Sequence, residues 1–291
     1  MNKTLLILGA SGKIGFHSSQ AFSQAGWTVK HFDRKTDCLN KVVQGVHVIV
    51  NGFNPPNYQN WKTIIPEITR KVIEAAKLCG ATVILPGNVY HFGDQPGLWS
   101  EHTLPRPVSR KGEIRLAMEQ AYAESGVQTI VLRAGNFIDP NRQGCIMSEI
   151  YLRNIASKKI ITLGPIETRQ AMCYLPDWAR AAVLFSEMRQ QLGLFEDIPF
   201  PGHTLCTADI KLGLEEVLET DLRYSQFPWW LFTLSAPFWE FARELNEMRY
   251  LWSTDHELCG VRFKALLPDY KQTDLKTVLN SALPVELQSN L

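Results

Sequence analysis

The chain opens on an uninterrupted apolar run, Thr4–Leu8, that breaks at Gly9-Ala10-Ser11-Gly12-Lys13-Ile14-Gly15. A short continuous run of this kind marks a strand buried on both faces, as strands of a parallel sheet are. Ile14, Ala21, Phe22 and Ala25 then recur at near-helical spacing, and Gly26 stands where a left-handed cap closes a helix. Strand, glycine turn and helix therefore follow in order, and Thr28–Phe32 reads as a second strand. The alternation continues with strands expected at 46–51, 82–85 and 128–132, and with helices near 64–79 and 109–124. Five strands with helical crossovers predict an α/β fold, a Rossmann-type doubly wound parallel sheet.

Beyond residue 139 the periodicity loosens, with a strand expected at 159–163 and helices at 176–189 and 209–218. The pattern predicts a first domain over 1–139, to which 159–190 returns, and a smaller mixed α/β region over 140–291 on the substrate side. Nine aromatics crowd the stretch from Phe227 to Trp252. Its uncharged part ends at Glu240 and is interrupted by Pro228 and Pro237, so it is too short for a stable membrane span. A satellite core or interface, a wall or lid of a substrate site, and a helix lying on a membrane surface all remain open for it.

Composition narrows the function classes. Of 291 residues 45% are apolar and 20% charged, which places the chain among ordinary globular proteins. Thirty basic against twenty-nine acidic side chains leave a net charge of +1, so no global field exists to collect nucleic acid. Six scattered cysteines lack a C-x-x-C pair or zinc-ligand spacing, and the seven histidines show no metal-ligand spacing. Reduced thiols in a cytoplasmic protein are expected, because Gly9 cuts the leading apolar run short of a signal-peptide core.

Candidate chemistry begins at the glycines. A dinucleotide lays its pyrophosphate over a helix N-terminus, where backbone N–H groups and the positive end of the dipole face it. Gly9, Gly12 and Gly15 follow a buried strand and open an amphipathic helix, so Gly9, Ser11, Gly12, Lys13, Ile14 and Gly15 form the expected cofactor loop. At the end of strand two an acidic residue accepts ribose hydroxyls, whereas a cation pairs with a 2′-phosphate. Asp33 and Arg34 stand there side by side, followed by Lys35, and leave NAD and NADP both open. Asn51, Gly52 and Phe53, at the end of strand three and ahead of Pro55-Pro56, lie where ligands gather in such sheets.

These segments resemble the extended and atypical short-chain dehydrogenase/reductase superfamily, the NAD(P)-dependent epimerase/dehydratase group. The likeness rests on the glycine motif and on Val89-Tyr90-His91, similar to the family's Val-Tyr-Gly. It rests also on the Arg133-to-Pro140 segment, similar to Arg-Pro-Gly-Asn-x-Tyr-Gly-Pro, and on Tyr174-Leu175-Pro176-Asp177-Trp178-Ala179. The resemblance implies a small polar metabolite as substrate, with a sugar-derived one open, a nicotinamide cofactor and a homodimer. It breaks at the catalytic frame Pro-x-Ser-x-Tyr-Gly-x-Ser-Lys, because Pro107 to Arg115 puts Lys111 at the tyrosine and Arg115 at the lysine. Leu85-Pro86-Gly87 stands where the serines would be.

Lys111 is therefore the candidate acid/base or cofactor contact, Arg115 a holder of ribose or substrate, Tyr90 a weaker candidate acid, and Pro86 a neighbour of the cofactor. Lys111 and Glu119 also share the eight-residue spacing of the isoflavone reductase-like branch. Ser109 is expected to cap this helix and Gly126 to end it, with Ile114, Ala117, Met118, Ala121 and Tyr122 as its buried stripe. Loss of the triad keeps a second reading open, a non-catalytic NAD(P)-sensing regulator that acts through a partner.

Overall fold

A computed structural model describes residues 3–55, 60–141 and 144–288; Pro56 of the expected cofactor turn lies outside them. The chain runs β1 Thr4–Leu8, α1 Lys13–Gln24, β2 Thr28–Phe32, α2 Leu39–Val42, β3 Val48–Asn51, α3 Trp61–Cys79, β4 Thr82–Gly87, β5 Gly97–Trp99 and α4 Arg110–Glu124. It continues through β6 Thr129–Arg133, β7 Asn136–Ile138, β8 Lys159–Thr162, β9 Gln170–Tyr174, α5 Leu175–Met188, β10 Phe195–Pro199, β11 His203–Leu205 and α6 Thr207–Leu218. Last come β12 Arg223–Gln226, α7 Trp229–Ser235, α8 Glu240–Glu247, β13 His256–Leu258, α9 Val261–Leu266 and α10 Leu275–Ala282.

Two compact units result: 1–92, 104–133 and 176–199 form the first, and 93–103, 134–175 and 200–291 the second. The stretch 176–199 belongs to the first unit because β10 joins its sheet, while β8 and β9 pair elsewhere. That sheet has six parallel strands in the order β10-β6-β4-β3-β1-β2. Five were expected; the sixth, β10, escapes the apolar pattern because it is an edge strand reading Phe-Glu-Asp-Ile-Pro, with three half-exposed positions.

The five inner and leading strands form as their composition dictates. Every residue of β1, β3 and β6 is buried, as two covered faces require. Sheet residues Leu6, Leu8, Ile49, Val83 and Leu85 meet Ile65, Val72, Ala75 and Ala76 of α3 in one core, to which Met118 and Tyr122 of α4 belong. Pro86 sits in β4 opposite Leu132, two residues beyond the last β3 partner, where its missing N–H interrupts no β3–β4 bond.

The second unit holds a three-stranded sheet, β11-β9-β7, and two parallel pairs, β12-β8 and β13-β5. Its core joins Ile160, Ile161, Ile210, Leu214, Val278 and Leu279. The aromatic segment divides in two: Trp229 and Trp252 belong to that core, with Phe227, Phe232 and Phe241 packed against it. Trp230, Leu234 and Phe238 are exposed, Phe238 at 94%. Among the described residues no helix is long and apolar enough to cross a membrane, and all six cysteines are free.

Candidate dinucleotide-binding site

The strand order reverses at β1, with β2 on one side and β3 on the other. Crevices outside the carboxyl ends of two such strands are where open α/β sheets bind ligands. Register pairs Leu8 with Asn51, so the turns that follow, at Gly9 and Gly52, are brought side by side. They line a cavity of about 560 Å3 with Ser11, Gly12, Asp33, Arg34 and Phe53, all expected from sequence. Ala10, His31, Phe32, Asn54, Pro55 and Ile68 complete the lining. His31 and Phe32 directly precede Asp33, and Asn54 directly follows Phe53, which is the signal that could have found them.

Each glycine has its own reason. Gly9 turns at φ +78°, and a Cβ there would stand 2.9 Å from the Gly52 carbonyl oxygen. At Gly15 a Cβ would come 2.2 Å from the Gly9 carbonyl oxygen, so α1 can approach the turn only with glycine. Gly12 differs, because its φ of −83° suits any residue and its Cβ would make only ordinary contact, 3.4 Å from Gly9 O. The fold therefore does not require glycine at 12. No acidic side chain stands in the first turn of α1, and the first N–H groups of a helix lack intrahelical partners. The chain's own atoms thus fit a pyrophosphate.

Lys13, Ile14, Gly15, Asn51, Pro86 and Lys111 do not line this cavity. Ile14 and Gly15 are buried behind it, with Ile14 Cγ2 3.4 Å from where a Gly52 Cβ would be. Asn51 is buried and acts on the turn from below: its Nδ2 donates to the Tyr122 hydroxyl at 3.1 Å, and its Oδ1 accepts the Phe53 N–H at 3.3 Å. Burial pushes the Tyr122 phenol well above its ordinary range, the Asn51 bond opposing it, so the phenol stays protonated.

Ser109 caps α4 as expected, its hydroxyl accepting the Gly112 N–H at 3.1 Å. A Cβ on Gly112 would meet the Tyr90 carbonyl oxygen at 2.6 Å, so the helix start lies directly on the turn that carries half-buried Tyr90. Lys111 is enclosed at 1% exposure. Arg115 turns toward the cleft loop, where its Nη2 donates to Asn54 Oδ1 at 3.0 Å and its guanidinium lies over the Trp61 ring at 4.7 Å.

The expected stripe of α4 is rotated. Met118 and Tyr122 are buried, but Ile114 and Ala121 are half-buried and Ala117 is exposed, while Lys111 and Glu119 are buried instead. Glu119, which shares the isoflavone reductase-like spacing with Lys111, is buried. It is held by Arg133, whose Nη2 donates to Glu119 Oε2 at 2.7 Å and to Asp197 Oδ2 at 2.6 Å. The same guanidinium donates to the Asn88 carbonyl at 2.5 Å and reaches His91 Nδ1 at 3.2 Å, tying the turn after β4 to β6, α4 and β10. Burial, aided by the Arg133 charge, lowers the His91 pKa to about 3, so the ring is neutral and accepts at Nδ1.

No protein-family model matches the sequence, and no curated protein matches it. Solved structures do. MoeE5 in complex with UDP-glucose and NAD superposes with a TM-score of 0.75 at 15% identity, over 96% of this chain and 97% of that one. UDP-glucuronic acid 4-epimerase from Bacillus cereus, in complex with UDP-glucuronic acid and NAD, gives 0.73 at 15% identity over 96% and 97%. A nucleoside-diphosphate-sugar epimerase from Staphylococcus aureus gives 0.68 at 18% identity over 96% and 100%. The fold is that of the nucleotide-sugar epimerases.

Proposed function

We propose that this chain binds NAD(H) or NADP(H) and acts as an oxidoreductase or epimerase on a small polar, sugar-derived metabolite. The observation that carries the reading is the turn at the switch point, where glycine stands at 12 in the lining of the cleft although the fold leaves room there for a side chain. The neighbours of the same fold support it, since they were crystallised with NAD and UDP-sugars. Gly9, Ser11 and Gly12, with the helix start at Lys13, Ile14 and Gly15, would hold the pyrophosphate. Asp33 and Arg34 would face the adenosine half, and Asn51, Gly52 and Phe53 would form the floor. Pro86 and Lys111 would stand toward the nicotinamide end.

Bound nicotinamide supplies a site that takes and returns hydride. This chain's residues would then move the proton: Lys111 takes the tyrosine's place as acid/base or electrostatic stabiliser, with Tyr90 on the abutting turn as a second acid. Arg115 would orient the substrate or ribose from its seat on Trp61 and Asn54. A homodimer would form across the apolar groove between α3 and α4, where Ile73, Ile114, Ala117, Met118 and Ala121 converge.

Thermal-shift titration with NAD+, NADH, NADP+ and NADPH tests the binding. Saturation at ~100 times the dissociation constant adds about 2.7 kcal/mol, and no shift with any of the four overturns the reading. A panel of aldehydes, ketones and nucleotide sugars tests the chemistry. Turnover lost in Lys111→Ala with cofactor affinity retained supports it, whereas binding without turnover of any member favours the sensing regulator.

A further inference from the structure

The loop that leaves β3 forms one wall of the cleft, with Gly52, Phe53, Asn54 and Pro55 in the lining. Its start is fixed from β3, where Asn51 Oδ1 accepts the Phe53 N–H. Its far end is fixed by a closed circuit of contacts that begins on α4. Arg115 Nη2 donates to Asn54 Oδ1 at 3.0 Å, and the same guanidinium lies over the Trp61 ring at 4.7 Å. Trp61 Nε1 in turn donates to the carbonyl of Pro55, the neighbour of Asn54, at 3.5 Å. Trp61 and Pro55 are buried, so the circuit has a fixed foot, whereas Asn54 is exposed and meets it through its side chain. Arg115 is not in the lining of the cleft; it stands behind the wall.

We infer that Arg115 is a positioning residue for the dinucleotide, holding the 52–55 loop in its binding conformation through Asn54 and Trp61. The inference rests on the dinucleotide-binding reading above. It is separate from the orienting contact proposed for Arg115 there, because it acts through protein contacts alone. A loop ordered in advance loses little conformational entropy when a ligand arrives, whereas an unheld loop must be ordered at that moment. The task suits arginine and not lysine. A planar guanidinium lies flat on an indole while its edge donates to an amide oxygen, and an ammonium is a point donor that cannot do both in this geometry.

Calorimetric titration of the full chain with NAD+ and NADP+, read for whichever binds tighter, tests this. Arg115→Ala and Asn54→Ala should each weaken binding about tenfold, chiefly through faster dissociation in stopped-flow. The double variant should also lose about tenfold, because both changes open one circuit; independent contacts predict about a hundredfold. Arg115→Lys keeps a charge that could reach a phosphate or ribose but not the flat seat on Trp61, and should bind as weakly as Arg115→Ala. Asn54→Ala changes an exposed loop side chain and should melt in urea as the wild type does, so its weaker binding cannot be lost fold. Wild-type affinity in Asn54→Ala, additive losses in the double variant, or full affinity in Arg115→Lys overturns the inference and leaves the dinucleotide reading standing. No binding of either dinucleotide by the wild type overturns both.

Discussion

Replacement of Arg133 by methionine is expected to be among the most damaging changes in the first unit. Its side chain is 1% exposed and is met by Glu119 and Asp197, whose side chains are 8% and 20% exposed. Burial works against the guanidinium charge, but Glu119 and then Asp197 more than offset it, so its pKa is raised and the charge is permanent. Arg133→Met leaves two carboxylates facing each other and deprives the Asn88 carbonyl of its donor. Removing one partner of a buried ion pair costs about 3–5 kcal/mol, a large share of a typical 5–15 kcal/mol of stability. Asp197 can rehydrate and Glu119 cannot, so most of the loss falls on Glu119. Glu119→Gln keeps an acceptor and leaves Asp197 to balance Arg133, and should cost only about 1–2 kcal/mol. The double change Arg133→Met with Glu119→Leu should be less harmful than Arg133→Met alone, because the stranded charge is gone. Urea melts of the four proteins, read as shifts in midpoint at constant m, give the comparison. A loss below 1 kcal/mol for Arg133→Met, or a double variant worse than that single one, refutes the reasoning.

The glycines separate folding from binding: Gly15→Ala should destabilise the chain, whereas Gly12→Ala should leave the melting profile unchanged and cut dinucleotide affinity at least tenfold by titration. Acid should weaken both units, because burial lowers His91 to about 3 and His256 to about 4 from 6.5. Between those limits only the unfolded chain takes up the protons, so stability is full above pH 7 and falls by about 1.5 kcal/mol per histidine from pH 6.5 to 5; a flat denaturation profile over that range refutes it. Ala121→Arg, in the α3–α4 groove, should convert the proposed dimer to monomer by light scattering without loss of helicity. In the aromatic segment Trp229→Ala should cost about 3–5 kcal/mol and Phe238→Ser less than ~0.5, both read by urea denaturation.

Among the inner strands legibility followed burial, whereas the edge strand β2, none of whose residues is buried, was read from its place after α1. Strands covered on both faces, such as β1, β3 and β6, advertise themselves as apolar runs, because every side chain there must leave water. At the edge β10 presents one ladder to β6 and half-exposed side chains elsewhere, so its Glu196, Asp197 and Pro199 read as loop. Asp197 is nonetheless the residue that completes the charge on Arg133, a contact across 64 positions that no local pattern encodes.

The cofactor turn was legible because backbone geometry leaves its demand in residue identity: at Gly9 and Gly15 nothing larger fits. Side-chain partnerships leave no such trace, and Arg115 on Asn54 and Trp61 was invisible in the nine-residue catalytic frame that contains it. The rotated stripe of α4 is the most informative departure. Apolar periodicity reports which face of a helix avoids water, not which partner covers it. Ile114, Ala117 and Ala121 carry that periodicity yet are only partly covered by their own chain, while charged Glu119 is buried because Arg133 meets it. Ile114, Ala117 and Ala121 line a groove shared with α3, to which Arg70, Glu74, Lys77 and Glu124 also contribute, so the residues that break the expected stripe are those the chain leaves at this groove.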